Sequence, residues 1–419
     1  MNPVEIIRSL RAALASKTVL LGALVGFGGM CLLGRQAARE NHLSPFVRFT
    51  QWTSPETKYY PTIGEMTSLV RATVRPDQVL VVVGGNSVLR GVGQPVQRIW
   101  TKALQQNLGP GYGVVNFAFN GSTVTDAGAV VAEALRREYP RQIYIANASP
   151  AAPPAPAGSG VYWFVFWEAY YKGLLIDDPV RAAAIAEHNH YDVIGNPPGG
   201  AGLRELKARE WLDRWFYFQD FWNKITYRHV NTVWGYYMPG TTDFLRARKD
   251  YPDPEPDTLT YPMDVRYNPG NLAVEMAIVR GCSQYCYLST DASGHFQMRK
   301  DASGRWPLYA PVWDDFAAGI KVAMPQELKK RTLILLSRSS PFYVRRLTAD
   351  ERERDDLAYI HSVAMWKAGG YDAMDYGKDF GVEDYGDRTH VTWQGGAKLA
   401  ILVADKIREM SKNLGYLQK

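Results

Sequence analysis

The chain has 419 residues, 46% hydrophobic and 21% charged, a globular composition that excludes a mostly disordered protein. Its formal net charge of +6 is not gathered into a basic block, so nucleic acid is not an expected partner, and three cysteines exclude a disulfide scaffold. At roughly 150 residues per domain there is room for two or three domains, or for one α/β domain with a large insertion; the unusual excess is aromatic, with 12 Trp, 25 Tyr and 15 Phe.

Residues 1–17 read as a short tail and 18–34 as a transmembrane anchor. Thr18–Leu33 carries no charge. A span needs about 20 residues, reached by extending back through Ala12–Ser16 with Lys17 lying toward the head groups. The alternative is a cleaved signal peptide, but Gly34-Arg35-Gln36-Ala37-Ala38 is a poor small-x-small cleavage site. Arg8, Arg11 and Lys17 on one side balance Arg35, Arg39 and Arg48 on the other, so the positive-inside rule does not set the orientation. A short tail before a large globular part favours a single-pass signal-anchor in the cell membrane, with the bulk on the periplasmic or extracytoplasmic side. Gly22-x-x-x-Gly26 permits close helix contact, although glycine is common in such segments.

Residues 35–77, with Pro45, Pro55, Pro61 and Pro76, read as a tether. An α/β rhythm follows over 78–150. Gln78–Val83 is a continuous β-branched run of the kind that forms a buried parallel strand. Pro95–Leu108 predicts a helix with proline at its start, Gly113–Phe119 a second strand, Ser122–Arg137 a helix capped by Ser122, and Arg141–Asn147 a third strand. Strand and helix in alternation imply a parallel sheet covered by helices.

The rhythm stops at Ser149–Gly160, and 151–327 read as an insertion. It holds two aromatic stretches, 161–171 and 211–237, and the turns Asp291-Ala-Ser-Gly294 and Asp301-Ala-Ser-Gly304, which suggest a short β meander. Trp211, Trp215, Phe218 and Trp222 have helical spacing and suit a satellite core. Membrane-interface contact, a membrane partner or stacking on sugar rings are the other uses of such residues. Cys282 and Cys286 are either two buried thiols or a disulfide that would need a helix end there. His188 and His190 do not share a helix face, so no metal is expected, and no cofactor is assigned.

The rhythm returns over 328–419, with a strand at Arg331–Leu336, a capping box at Thr348 and Glu351 opening a helix to about Ala368, and a last helix from Gln394 to Met410. Asp350–Asp356 reads as a solvated helix start. The sheet domain is therefore expected to be split around the insertion.

In open parallel sheets, sites form beyond the C-terminal strand ends. Gly84-Gly85-Asn86-Ser87 follows the first strand, Asn120-Gly121-Ser122 the second and Asn147 ends the third, while Asp387-Arg388-Thr389-His390 precedes the last helix. Ser87, His390 and Asp387 can form a nucleophilic triad in which His removes the Ser proton and Asp fixes the imidazole. The Ser87 and Gly121 N–H groups and the Asn147 side chain can donate to an oxyanion.

Gly85-Asn86-Ser87-Val88 resembles the first block of SGNH (GDSL-type) hydrolases, Asn116-x-x-x-Asn120-Gly121 their second, and Asp387-x-x-His390 their last. The resemblance implies a flavodoxin-like three-layer α/β/α fold with Ser87 as nucleophile, Asp387 and His390 completing the triad, and Gly121 and Asn147 as oxyanion donors. Asn86 stands where the family has Asp, and Ala146-Asn147-Ala148 departs from its third block. The anchor and insertion are similar to the envelope O-acyltransferase branch, which includes the D-alanyl-transfer protein DltD and the SGNH partners of MBOAT acyltransferases. The expected function is a membrane-anchored serine esterase or O-acyltransferase acting on acyl groups of cell-envelope polymers, with membrane lipid, an integral-membrane acyltransferase or other membrane-complex partner, and an envelope polysaccharide substrate as the expected partners. The alternative is a degenerate SGNH-fold subunit with an interaction role, since fold does not dictate function.

Overall fold

The computed structural model describes residues 16–40, 63–92, 94, 98–119, 121–158, 163–188, 211, 216 and 272–416. The tail, most of the proposed tether, His190, the C-terminal residue of the 188–190 pair, and most of the second aromatic stretch, with Trp215, Phe218 and Trp222, lie outside them.

Helix α1 (Lys17–Glu40) contains the apolar run and continues past residue 34 into charged sequence. It is long and apolar enough to be a membrane anchor or a signal sequence. Leu20, Leu21, Leu24, Val25 and Leu32 are exposed. Helix α2 (Ile63–Thr73) falls in the stretch read as tether. Its Ile63, Met66, Leu69 and Val70 are buried at i, i+3, i+6 and i+7, so one face of this helix belongs to the core.

Five parallel strands follow: β1 (Val79–Val83), β2 (Tyr112–Asn116), β3 (Gln142–Ala148), and later β6 (Thr332–Ser337) and β7 (Asp372–Tyr376). Between the first three lie α3 (Trp100–Leu108) and α4 (Ala127–Leu135). Both helices start later than predicted. The Gln94 side chain accepts the Trp100 N–H at 2.8 Å, which places the α3 start beyond Pro95. Ser122 does not cap α4; its hydroxyl donates to Asp126, the residue at the N-cap.

The inserted region contributes α5 (Trp163–Tyr171), α6 (Pro179–His188), α7 (Leu272–Cys286), the hairpin β4 (Ser289–Thr290) and β5 (Phe296–Gln297), and α8 (Ala310–Val322). The first D-x-x-G turn closes that hairpin, with Asp291 accepting the Ser293 and His295 N–H groups. The second makes the same turn without a paired strand. Cys286 is the buried last residue of α7; the Cys282 side chain is outside the described ones. After α8 come α9 (Gln326–Lys329), β6, α10 (Pro341–Val344), α11 (Ala349–Ala368), β7 and α12 (Trp393–Asn413). Thr348 and Glu351 form the predicted capping box.

The sheet order is β2-β1-β3-β6-β7, all parallel, so the chain leaves β1 in one direction and returns on its other side. Alternate strand residues point to opposite faces. Leu80, Val82, Tyr144, Ala146, Ile334 and Leu336 meet one helical layer, and Val79, Val81, Ile143, Ile145, Leu333 and Leu335 the other. Helices α3 and α12 cover the second face. Phe166, Tyr287, Trp306, Trp313 and Phe316 from the inserted region join the first. These five rings extend the main core, whereas Trp211, Tyr170, Tyr285 and Phe296 are exposed. Arg181 of α6 ties in as well: its guanidinium makes a buried two-pronged contact with Glu133 of α4, at 2.6 and 2.8 Å.

Candidate functional site

The sheet's change of direction between β1 and β3 opens a crevice at the strand C-termini. The turn after β1 enters it. Gly85 has φ +84°, and a side chain there would overlap Asn147 Oδ1 and come within 2.9 Å of the Asn147 nitrogen. Only glycine suits that conformation and contact together.

Asn86 and Asn147 then form a reciprocal pair. Asn147 Oδ1 accepts the Asn86 N–H at 2.9 Å, and Asn147 Nδ2 donates to Asn86 Oδ1 at 2.7 Å. Asn86 Oδ1 also accepts the Val88 N–H at 3.0 Å. The Arg90 N–H bonds the Asn86 carbonyl, so Ser87 opens one helical turn. That turn is pinned from outside, because Leu89 O accepts both Trp100 Nε1 at 2.7 Å and Asn116 Nδ2 at 3.2 Å.

The second half of the site comes from the segment before α12. Tyr385 bridges Val391, and the Gly386 N–H donates to His390 O, which folds 385–391 into a tight turn. Asp387 is buried in it. Its Oδ1 accepts the N–H groups of Thr389 at 2.9 Å and His390 at 2.8 Å, and its Oδ2 meets His390 Nδ1 at 2.7 Å. His390 Nε2 stands 2.8 Å from Ser87 Oγ. Gln94 joins the two halves, with Nε2 donating to Val391 O at 3.2 Å while Oε1 caps α3.

Burial works to raise the Asp387 pKa, but the His390 imidazole and the two backbone N–H donors outweigh it and hold the carboxyl below its ordinary range. The carboxylate therefore persists at neutral pH and fixes the proton of a neutral imidazole on Nδ1. Nε2 is left as the acceptor facing Ser87 Oγ.

The structure thus joins Ser87, His390 and Asp387 in one hydrogen-bonded line. Gly121 lies at the same rim, since Phe117 and Phe119 donate to Val83 and Gly85 alongside the Ser87 turn. Among the described residues no acceptor takes the N–H of Ser87 or Gly121. Asn147 lines the turn, with one of its two Nδ2 hydrogens committed to Asn86. The supporting roles of Gln94 and Trp100 carry no spacing signal. They depend on contacts between segments that the sequence does not place together. Among the described residues, no three His, Cys, Asp or Glu side chains converge as metal ligands do.

No protein-family model, no curated protein and no solved structure matches the chain.

Proposed function

We propose that the protein is a membrane-anchored serine esterase or O-acyltransferase that carries its acyl group on Ser87. The line from Asp387 through His390 to Ser87 Oγ, at 2.7 and 2.8 Å, is the observation that supports this most directly. His390 Nε2 takes the Ser87 proton as Oγ bonds to the acyl carbonyl carbon, and the carbonyl electron pair moves to its oxygen. The Ser87 and Gly121 N–H groups, with the remaining Asn147 Nδ2 hydrogen, stabilise that oxyanion. Collapse expels the alkoxide, which takes the proton from His390 and leaves acyl-Ser87. Water or a polymer hydroxyl then gives its proton to His390 and attacks the acyl carbon; collapse breaks the acyl–Oγ bond, and Ser87 Oγ takes the proton back from His390, completing hydrolysis or transfer.

The β2-β1-β3-β6-β7 order, which is the flavodoxin-like arrangement, and the two helical layers agree with the SGNH resemblance of the Ser87 and Asp387-x-x-His390 blocks. By the same resemblance, the acceptor is a cell-envelope polysaccharide and the donor an integral-membrane acyltransferase. The retained-anchor reading is supported by contacts of α1 with the rest of the chain. Phe27 meets Phe216 edge-to-face at a centroid distance of 4.2 Å, and Phe216 in turn meets Trp211. A cleaved leader would leave Phe216 without its Phe27 contact. The globular part is placed on the extracytoplasmic side, where an envelope polymer is in reach.

The test is labelling of detergent-solubilised full-length protein by a fluorophosphonate. Labelling at Ser87, lost in Ser87→Ala with the melting temperature unchanged, is expected. A folded protein that is not labelled would refute the enzyme and point to an interaction role.

A further inference from the structure

Glu275 is buried on α7, where its Oε2 accepts Arg388 Nε at 2.8 Å and its side chain is 3% exposed. Among the described residues Oε1 has no hydrogen-bond partner. A buried carboxylate bound to one guanidinium nitrogen is a poor source of stability, because desolvation offsets the attraction. Such a pair does fix the relative position of two segments.

Arg388 is the segment that matters. It lies inside the turn whose Asp387 Oδ1 accepts the Thr389 and His390 N–H groups. Its carbonyl accepts the Ser340 N–H at 2.8 Å. Ser340 caps α10, and Tyr343 of that helix packs with Leu347 against Met276 and Val279, which lie one and four residues after Glu275 on α7. Helix α7 is docked further by Arg280, whose Nε bonds Glu351 at 2.9 Å in the α11 capping box. The inserted region therefore holds residue 388 by two routes: through its side chain from Glu275, and through its backbone by way of α10.

We propose that Glu275 is a positioning residue for the Asp387–His390 pair, acting through Arg388, so that the inserted region is a structural part of the reactive site. The proposal rests on the serine chemistry above. Glu275 touches neither Ser87 nor His390. It restrains the turn that aims the imidazole at Ser87 Oγ. The charged groups joined at this turn are Asp387 and His390 on the turn itself, Arg388 beside them and Glu275 from α7. Loss of the restraint weakens the Asp387–His390 contact, and with it both the aim of the imidazole at Ser87 Oγ and the carboxylate's support of the imidazolium formed when Ser87 gives up its proton.

The experiment measures the rate of fluorophosphonate labelling of full-length protein against pH for wild type, Glu275→Gln, Glu275→Asp and Arg388→Gln. Glu275→Gln keeps the shape and removes the charge. The expected result is a plateau rate about tenfold or more below wild type, with the acid midpoint moved to lower pH. Arg388→Gln should show the same movement, and Glu275→Asp should recover part of both. A merely structural role would lower the melting temperature and leave the midpoint in place. Wild-type labelling with an unchanged midpoint and plateau in both Glu275→Gln and Arg388→Gln overturns this proposal alone. Absence of wild-type labelling overturns the serine chemistry and this proposal with it. Should one variant fail to fold, the other still reads the midpoint, because each removes the same ion pair from a different side.

Discussion

Asp387→Asn is the most informative single change. In the native turn Oδ1 holds two backbone N–H groups and Oδ2 faces His390 Nδ1 at 2.7 Å. An asparagine can keep the two backbone bonds through its Oδ1, which leaves its NH2 group pointing at Nδ1. Two donors cannot share that contact, so the neutral imidazole moves its proton to Nε2 and presents a donor to Ser87 Oγ instead of an acceptor. Losing the orienting carboxylate in this way costs about ten-thousand-fold in rate in a serine triad. The stability cost is smaller, because one charge-assisted bond worth roughly 1.5–3 kcal/mol is lost while the other two stay. The assay is the second-order rate of Ser87 labelling at neutral pH, with thermal unfolding as control. A variant that labels within about tenfold of wild type would refute the assignment of Asp387 as the group that sets the His390 tautomer.

Four further outcomes follow from particular contacts. Gly85→Ala puts a side chain at φ +84° and against Asn147, so it should lower stability by roughly 2–5 kcal/mol in urea unfolding and abolish labelling. Arg181→Met leaves Glu133 buried without its cation, and a loss of about 3–5 kcal/mol in the same measurement is expected. Asp355 is held up to about 6 mainly by burial, with Asp356 adding to the rise and Arg338 opposing it. Its folded pKa lies above the unfolded value, so the wild type gains stability as pH falls from about 6 toward 4; Asp355→Asn should be more stable by roughly 1–3 kcal/mol at neutral pH, a difference that closes over that window in pH-dependent melting. Asp387 has the opposite sign: its folded pKa is depressed, and the stability it contributes above the unfolded pKa should disappear only as pH falls through the lower folded value.

The strands that the sequence made legible are those buried on both faces. Val79–Val83, Gln142–Ala148 and Thr332–Ser337 are nearly unbroken apolar runs. The fifth strand, Asp372–Tyr376, escaped because it is an edge carrying two aspartates. Asp372 pairs with Lys406 of α12 at 2.9 Å, and Asp375 with Arg338 after β6 at 2.5 Å. Such charges look like loop until their partners are placed. Helix α2 was hidden by the prolines around it, although its buried face is regular. At the site, Ser87, Asp387 and His390 were legible because each follows a strand or precedes a helix in a recognisable block. Gln94, Trp100 and Glu275 were not, since each acts on a backbone or side chain distant in the chain. Glu275 in particular lies 113 residues from its partner.

The order in which the sheet closes has a kinetic consequence. Strand β3 pairs with β6 across the whole inserted region, and Ser87 meets a histidine 303 residues further along. Contacts of such long range form slowly, because the chain must close large loops before any of them is rewarded. An N-terminal fragment that ends after β3 holds Ser87 without His390. If Ser87 is the nucleophile proposed above, it stays inert during synthesis until the His390 turn has docked, and acquiring reactivity coincides with completing the fold.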